Sequence, residues 1–299
     1  MNVIRNTLLA AVTATSLLGS AWADTTGAAG SSATSATSAT SATSATAGAS
    51  GASGTPAFKP EVGQAGKDVV WVPTPQSLVD AMLDMAGLTP DDYLIDLGSG
   101  DGRTVITAAK RGARAHGIEY NPDMVVVSKR AADAAGVADQ ATFEQGDIFE
   151  SDFSDATVIS LFLLPNLNLK LRPTILDMAP GTRVVSNSFD MSDWEPDDKV
   201  RVDEADCNAY CRGYLWIVPA KVEGSWNLDD GGTLALNQKF QMLEGSLTQG
   251  GVSAMLTNAR MNGTEIRFDA GGVTYTGTVD GNRMAGTTDE GDSWSATRG

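Results

Sequence analysis

The run Tyr93-Leu94-Ile95-Asp96-Leu97 is short, largely apolar, and cut off by Gly98-Ser99-Gly100-Asp101-Gly102. No other stretch limits the fold as much. A brief apolar run closed by glycine reads as a strand buried on both faces, which belongs in a parallel sheet. Residues 101–112 then have helical character and end at Gly112. A strand at 114–119 follows, and Asn121-Pro122 supplies a helix N-cap with proline at the first helical position. That helix carries Met124, Val125, Ser128 and Ala132 and stops at Gly136. Strands at 141–145, 156–163 and 182–188, with a helix near 166–178, continue the pattern. The runs at 199–203 and 214–219 have no helix between them and predict an antiparallel edge pair. Such alternation predicts an α/β fold: a Rossmann-like, doubly wound sheet with helices on both faces.

Four segments divide the 299 residues. Over 1–23, Arg5 supplies a positive start, Leu8 to Leu18 an apolar stretch, and Ala21-Trp22-Ala23 a small-x-small site. This is the layout of a secretory signal peptide and predicts export with cleavage after Ala23, an uncleaved anchor being the minor alternative. The apolar stretch is too short to span a membrane. Residues 24–57 are built from Ser-Ala-Thr repeats, Gly and Ser, which cannot bury enough apolar surface to offset ordering; they predict a disordered linker. Residues 58–220 hold the α/β domain. Residues 221–299 change character: 233–240, 264–268, 273–279 and 293–297 alternate roughly and are separated by Asn262-Gly263, Gly271-Gly272 and Asp280-Gly281. They predict a C-terminal all-β antiparallel meander or barrel. Glu244-Gly245-Ser246 echoes Glu223-Gly224-Ser225, a hint of repeated structure.

The net charge of −16 argues against ordinary phosphate-driven nucleic-acid binding and against docking on anionic lipid. Residues 58–220 carry 14 basic and 26 acidic side chains, a mild preference for a basic partner. One histidine and two cysteines make a His/Cys metal centre improbable, and no metal site is expected. Cys207 and Cys211 can form a local disulfide in an exported protein, although spacing alone does not show it.

The chemistry sits in the glycine turn. Ligands of open α/β sheets bind at the carboxyl ends of the strands. Asp96 and Glu119 end successive strands 23 residues apart, and an acidic side chain at the second can accept from ribose hydroxyls. Asp147 follows the third strand, where it can meet an adenine amino group. A dinucleotide fingerprint needs Gly-x-Gly-x-x-Gly; here the third glycine is one position early and Arg103 stands in its place. Asp96 and Asp101 would repel a pyrophosphate and suit the amino group and sulfonium of S-adenosylmethionine. No Gly-Lys-Ser or Gly-Lys-Thr is present for a P-loop.

Trp71-Val72-Pro73-Thr74-Pro75, Asp96-Leu97-Gly98-Ser99-Gly100-Asp101-Gly102-Arg103 and Leu163-Leu164-Pro165-Asn166 together resemble class I S-adenosylmethionine-dependent methyltransferases. More narrowly, the chain is similar to a bacterial branch related to the mitochondrial protein-lysine methyltransferases of the ATP synthase c-subunit and the adenine nucleotide translocase. The resemblance covers about 58–220. It implies a seven-stranded sheet and places Asp96, Gly98, Gly100 and Glu119 at the cofactor, with 72–75 closing over it. The cofactor set is Pro73, Thr74, Asp96, Gly98, Ser99, Gly100, Asp101, Gly102, Glu119, Asp147 and Ile148. Leu164, Pro165 and Asn166 are expected to position the acceptor. The exit of strand four lacks the Asn/Asp-Pro-Pro-aromatic tetrad of many amino-methylating enzymes, which lowers the odds of a nucleic-acid acceptor.

Methyl transfer from a sulfonium needs positioning rather than a protein nucleophile, so no catalytic residue is assigned. The expected acceptor is a basic protein, through lysine, or a small amine. Phe162, Asn166, Phe189 and Trp194 could shape its mouth, though each taken singly fits ordinary packing. His116 reads as a packed or edge residue, Trp226 and Trp294 as barrel core, and Glu244 and Glu265 as solvated strand faces. The alternatives are an exported, non-enzymatic binding protein on the same fold and, more weakly, a nicotinamide-dependent oxidoreductase.

Overall fold

In a computed structural model the described residues are 58–203, 205 and 207–299. The leader and linker expected over 1–57 lie outside them. Helix α1 (Gln76–Met85) follows Pro75 and buries Leu78, Val79, Met82 and Leu83, an apolar stripe of helical spacing. The chain then runs β1 (Tyr93–Leu97), α2 (Arg103–Lys110), β2 (Arg114–Glu119), α3 (Pro122–Ala135) and β3 (Ala141–Gln145). After these come β4 (Val158–Leu161), α4 (Pro165–Leu176), β5 (Arg183–Asn187), β6 (Asp198–Arg201) and β7 (Arg212–Ile217).

These seven strands form one sheet in the order β3-β2-β1-β4-β5-β7-β6. The first five are parallel, and β7 runs antiparallel to both β5 and β6. Period-two alternation along β1 splits its side chains between two cores. Leu94 joins the cluster packed by α1, α2 and α3, and Ile95 and Leu97 join the one packed by α4. Strand order reverses between β1 and β4, the switch point at which ligands of such sheets bind.

Nine further strands follow: β8 (Gly224–Leu228), β9 (Thr233–Lys239), β10 (Met242–Gln249), β11 (Val252–Met255) and β12 (Thr257–Asn262), then β13 (Glu265–Ala270), β14 (Val273–Asp280), β15 (Arg283–Thr288) and β16 (Ser293–Arg298). They order as β11-β10-β12-β13-β14-β15-β16-β8-β9, and a β9–β10 pairing closes eight of them into a barrel. Trp226 and Trp294 are buried in its core, while Glu244 and Glu265 face solvent. The echoed tripeptides flank the same strand: Gly224 and Gly245 both pair with Leu236, and Ser225 and Ser246 both pair with Ala235. A Cβ on Gly245 would sit 1.9 Å from the Ala235 carbonyl oxygen, so the close strand approach itself demands glycine there.

The barrel packs on the loop that leads into β6. Phe240 stacks on Trp194 at 5.8 Å, Gln241 donates to the Glu195 carbonyl at 2.7 Å, and Arg260 reaches Asp197 at 2.8 Å. Trp194, for which ordinary packing is the favoured reading over a place at the acceptor mouth, is fully buried between Trp216 and Phe240. Its apolar area serves the seam between the two sheets, which residue spacing could not foretell.

Candidate donor and acceptor site

Glycine makes the turn after β1 possible. Gly98, Gly100 and Gly102 have φ of 86°, 55° and 81°, a region where a Cβ would clash with the backbone. The three serve different ends. Gly100 lies beneath Trp71, where a Cβ would come within 2.5 Å of the indole Nε1. Gly102 caps α2 from below; its Cβ would meet Phe143 and Ser128 at 2.7 Å. Expected at the cofactor, Gly102 is therefore a glycine of close helix–sheet packing and does not line the cavity.

A cavity of about 540 Å³ opens at the carboxyl edge of the sheet. That suits a ligand of nucleoside size. The structure brings Pro73, Thr74, Asp96, Gly98, Ser99, Gly100, Asp101, Glu119, Asp147, Ile148 and Leu164 to its walls. Pro165 and Asn166 are not among them. Proline takes the first position of α4, and both residues face solvent at the helix start. Phe162, Leu163, Leu167 and Phe189 line that end in their place. Asn168, one turn into α4, is the buried amide: its Nδ2 donates to the carbonyls of Phe189 and Asp190, both at 3.2 Å, and so fixes the loop after β5. Only tertiary closeness reveals that role.

The carboxylates are not equivalent. Glu119 accepts from the Gly100 N–H at 2.9 Å through Oε2 and from the Asn121 N–H at 2.9 Å through Oε1, which ties the glycine turn to the end of β2. Asp101 lines the cavity but carries its own counter-charge, with Arg103 Nη2 at 2.6 Å. Arg103 Nη1 also donates to the Thr74 carbonyl at 2.8 Å, so the residue that breaks the dinucleotide fingerprint holds residues 71–74 against the turn. From the other side the Asn187 Nδ2 donates to Thr74 Oγ1 at 3.1 Å. Asp147 pairs with Lys67, whose ammonium also lies 5.1 Å over the Tyr120 ring. That pairing holds the Asp147 carboxyl below its ordinary range and raises Lys67.

Among the described residues, Asp96 has no cation beside it. Burial, and next the charges of Glu119 and Asp101, push its pKa up to about 7 against hydrogen bonds from Ser160 and Thr104. A buried acid of this kind gains most from a cationic ligand. Ser99 adds a buried hydroxyl with no hydrogen-bond partner among the described residues. A cationic donor with ribose hydroxyls fits this set: Asp96 for its charge, Glu119 and Asp147 for its hydroxyl and amino groups, and Ser99 as a spare polar contact. His116 lies outside the cavity, hydrogen-bonded to Thr142 Oγ1 at 2.8 Å.

Fold and site together define a class I S-adenosylmethionine-dependent methyltransferase. The family model of the ANTKMT methyltransferase domain matches residues 96–198. A protein-lysine N-methyltransferase of Saccharolobus islandicus is 39% identical over 153 residues, covering 50% of this chain and 94% of that protein. The chain belongs to that enzyme's family, and its methyl donor is S-adenosylmethionine. The mouse lysine N-methyltransferase of the ATP synthase c-subunit is 38% identical over 105 residues, 35% of this chain and 42% of that one, so less than half of the mouse protein is matched. A solved structure of an RNA methyltransferase from Salinibacter ruber in complex with S-adenosyl-L-homocysteine shares 49% identity, with a TM-score of 0.47, covering 50% of this chain and 96% of that chain.

Proposed function

We propose that the chain transfers methyl groups from S-adenosylmethionine to lysine amino groups of an acceptor protein, and that it does so outside the cytosol. The observation that carries the reaction is a single cavity with two chemically different ends. One end is acidic, built by Asp96, Glu119 and Asp147; the other is apolar and aromatic, built by Phe162, Leu163, Leu164 and Phe189. The lysine acceptor is supported by the names of the archaeal and animal relatives and by the acidity of residues 58–220.

When bound, S-adenosylmethionine supplies a methyl group already activated by its sulfonium. The chain's own residues position the partners. Asp96 balances positive charge at the donor end, Glu119 and Asp147 orient the nucleoside, and Trp71, Pro73 and Thr74 cover the turn, held there by Arg103. A lysine must be deprotonated when it attacks, and burial of its nitrogen at the apolar end disfavours the ammonium by desolvation.

The compartment is supported by the signal-like residues 1–23 and by the disulfide joining Cys207 to Cys211, a bond that persists in oxidising surroundings. Sequencing the N-terminus of the protein from its own cells should give Asp24; Met1 would refute processing. For the reaction, methyl-labelled donor is incubated with the chain and poly-L-lysine or extract proteins. Methyllysine in the hydrolysate is expected. Tight donor binding with no label on lysine would contradict the lysine assignment.

A further inference from the structure

The acceptor end holds a feature that donor binding does not use. Three rings meet there from separate places in the chain: Phe162 after β4, Phe189 after β5, and Tyr210 just before β7. Their centroids lie 6.2 Å (Phe162–Phe189), 5.2 Å (Phe162–Tyr210) and 6.1 Å (Phe189–Tyr210) apart, and all three line the cavity. Tyr210 is 43% exposed, so this ring reaches the cavity mouth.

Tyr210 is held in an unusual way. Its φ is +59°, a conformation that a bulky residue keeps when its surroundings impose it. On its other side the loop is open, with a second cavity of about 520 Å³ lined by Ser188, Arg201, Cys207 and Arg212. The disulfide adds a covalent constraint there: Cys207–Cys211 closes a five-residue ring with Tyr210 inside.

We infer that the Cys207–Cys211 loop is a redox-dependent acceptor-binding element, holding Tyr210 against Phe162 and Phe189 as an aromatic wall for an alkylammonium side chain. The ring faces attract the ammonium on its way in, and their apolar bodies take the four-carbon stem. Reduction by a dithiol turns the disulfide into two thiols while the dithiol closes to its own disulfide. The loop is then untied, and Tyr210 leaves the wall. The inference rests on the lysine reading for the identity of the cation and reaches further in assigning where that cation binds.

The test uses oxidised full-length protein saturated with S-adenosylhomocysteine and the probe Nα-acetyl-lysine methylamide, with binding followed by saturation-transfer NMR. Tyr210→Ala, the double variant Cys207→Ser/Cys211→Ser, and dithiol-treated wild type should each weaken probe binding by about tenfold. Tyr210→Phe should recover most of the affinity lost in Tyr210→Ala, since the ring rather than the hydroxyl acts. Affinity for S-adenosylhomocysteine should change less than about twofold throughout, which also certifies the fold of each variant. Equal probe affinity in all forms, or no probe binding to wild type, overturns the inference. Probe binding that follows the expected pattern while no methyl reaches lysine upholds the wall and overturns the lysine reaction instead.

Discussion

The two sheets place polar side chains in opposite ways. In the seven-stranded sheet, acids sit where strands end: Asp96 lies next to the last residue of β1, Glu119 ends β2, and Asp147 follows β3. Asp96 is buried there at an energetic cost that a ligand can relieve. In the barrel, acids such as Glu244 and Glu265 sit on solvated strand faces, and the interior is apolar, with Trp226, Phe268 and Met284 fully enclosed. Every residue lining the large cavity falls between Gln64 and Tyr210. Among the described residues, a buried carboxylate with no cation beside it is thus the mark of the donor site, and exposed charge is not. The barrel meets the loop before β6 through Phe240, Gln241 and Arg260.

The comparison breaks first at the seam. Trp194→Ala should cost about 3–5 kcal/mol of stability, as large core truncations do, and should lower the midpoint of denaturant unfolding for both halves together. Its indole Nε1 has no hydrogen-bond partner among the described residues, so Trp194→Phe should cost far less. Separate transitions in Trp194→Ala would sharpen the division between the sheets; an unchanged midpoint would deny the seam.

Next comes the turn. Gly100→Val sets a branched side chain at positive φ beneath Trp71 and should weaken S-adenosylmethionine binding about a hundredfold, near 3 kcal/mol, by calorimetry. The same substitution at Gly272, also at positive φ but in open space on a barrel turn, should leave donor affinity unchanged.

Asp96 gives a smaller and pH-dependent effect. Below pH 7 its carboxyl is protonated and cannot balance a cation, so donor affinity should rise as pH climbs through about 7 and level off above it. Its folded pKa exceeds the unfolded value of 3.8, so the same group should lower ligand-free stability as pH rises from about 4 to about 7. Asp96→Asn should weaken binding about tenfold at pH 8 and flatten the profile. A wild-type profile with no rise near 7 would remove Asp96 from the donor site.

The smallest effect belongs to Lys67→Ala. The Lys67–Asp147 pair lies at the surface, with Lys67 exposed and Asp147 half-buried, and surface pairs contribute about 0–1 kcal/mol, so stability should hardly move. Donor affinity should shift at most a fewfold, toward tighter binding if Asp147 is freed for the nucleoside.

Much of this was legible in the chain. An apolar run ending in glycine fixes a buried strand, so β1, β2, β3 and β5 fall within a residue or so of their expected bounds, and β6 and β7 pair as the missing helix implied. The barrel was harder. Its β8, β10, β11, β12 and β15 mix polar and apolar residues on strands that bury one face, and local spacing could not separate them from turns. In the site, sequence reasoning placed the carboxylates but not their partners. Arg103 looked like a defect in a fingerprint and turns out to clamp Thr74. Tyr210 lies beside the paired cysteines and far in sequence from Phe162, so nothing before folding joins them. Asn166 faces solvent while its neighbours Leu167 and Asn168 are buried, a difference set by which face of α4 meets the sheet.

The central claim is a donor site that exists because acids end neighbouring strands. Calorimetric titration of S-adenosylmethionine into the full chain at pH 8, alongside Glu119→Ala, tests it most directly. One site per chain is expected in the wild type, with binding weakened about tenfold or more when Glu119 is removed, since the glycine turn loses its anchor and the ribose its acceptor. No heat in the wild type, or equal affinity in Glu119→Ala, would contradict the account.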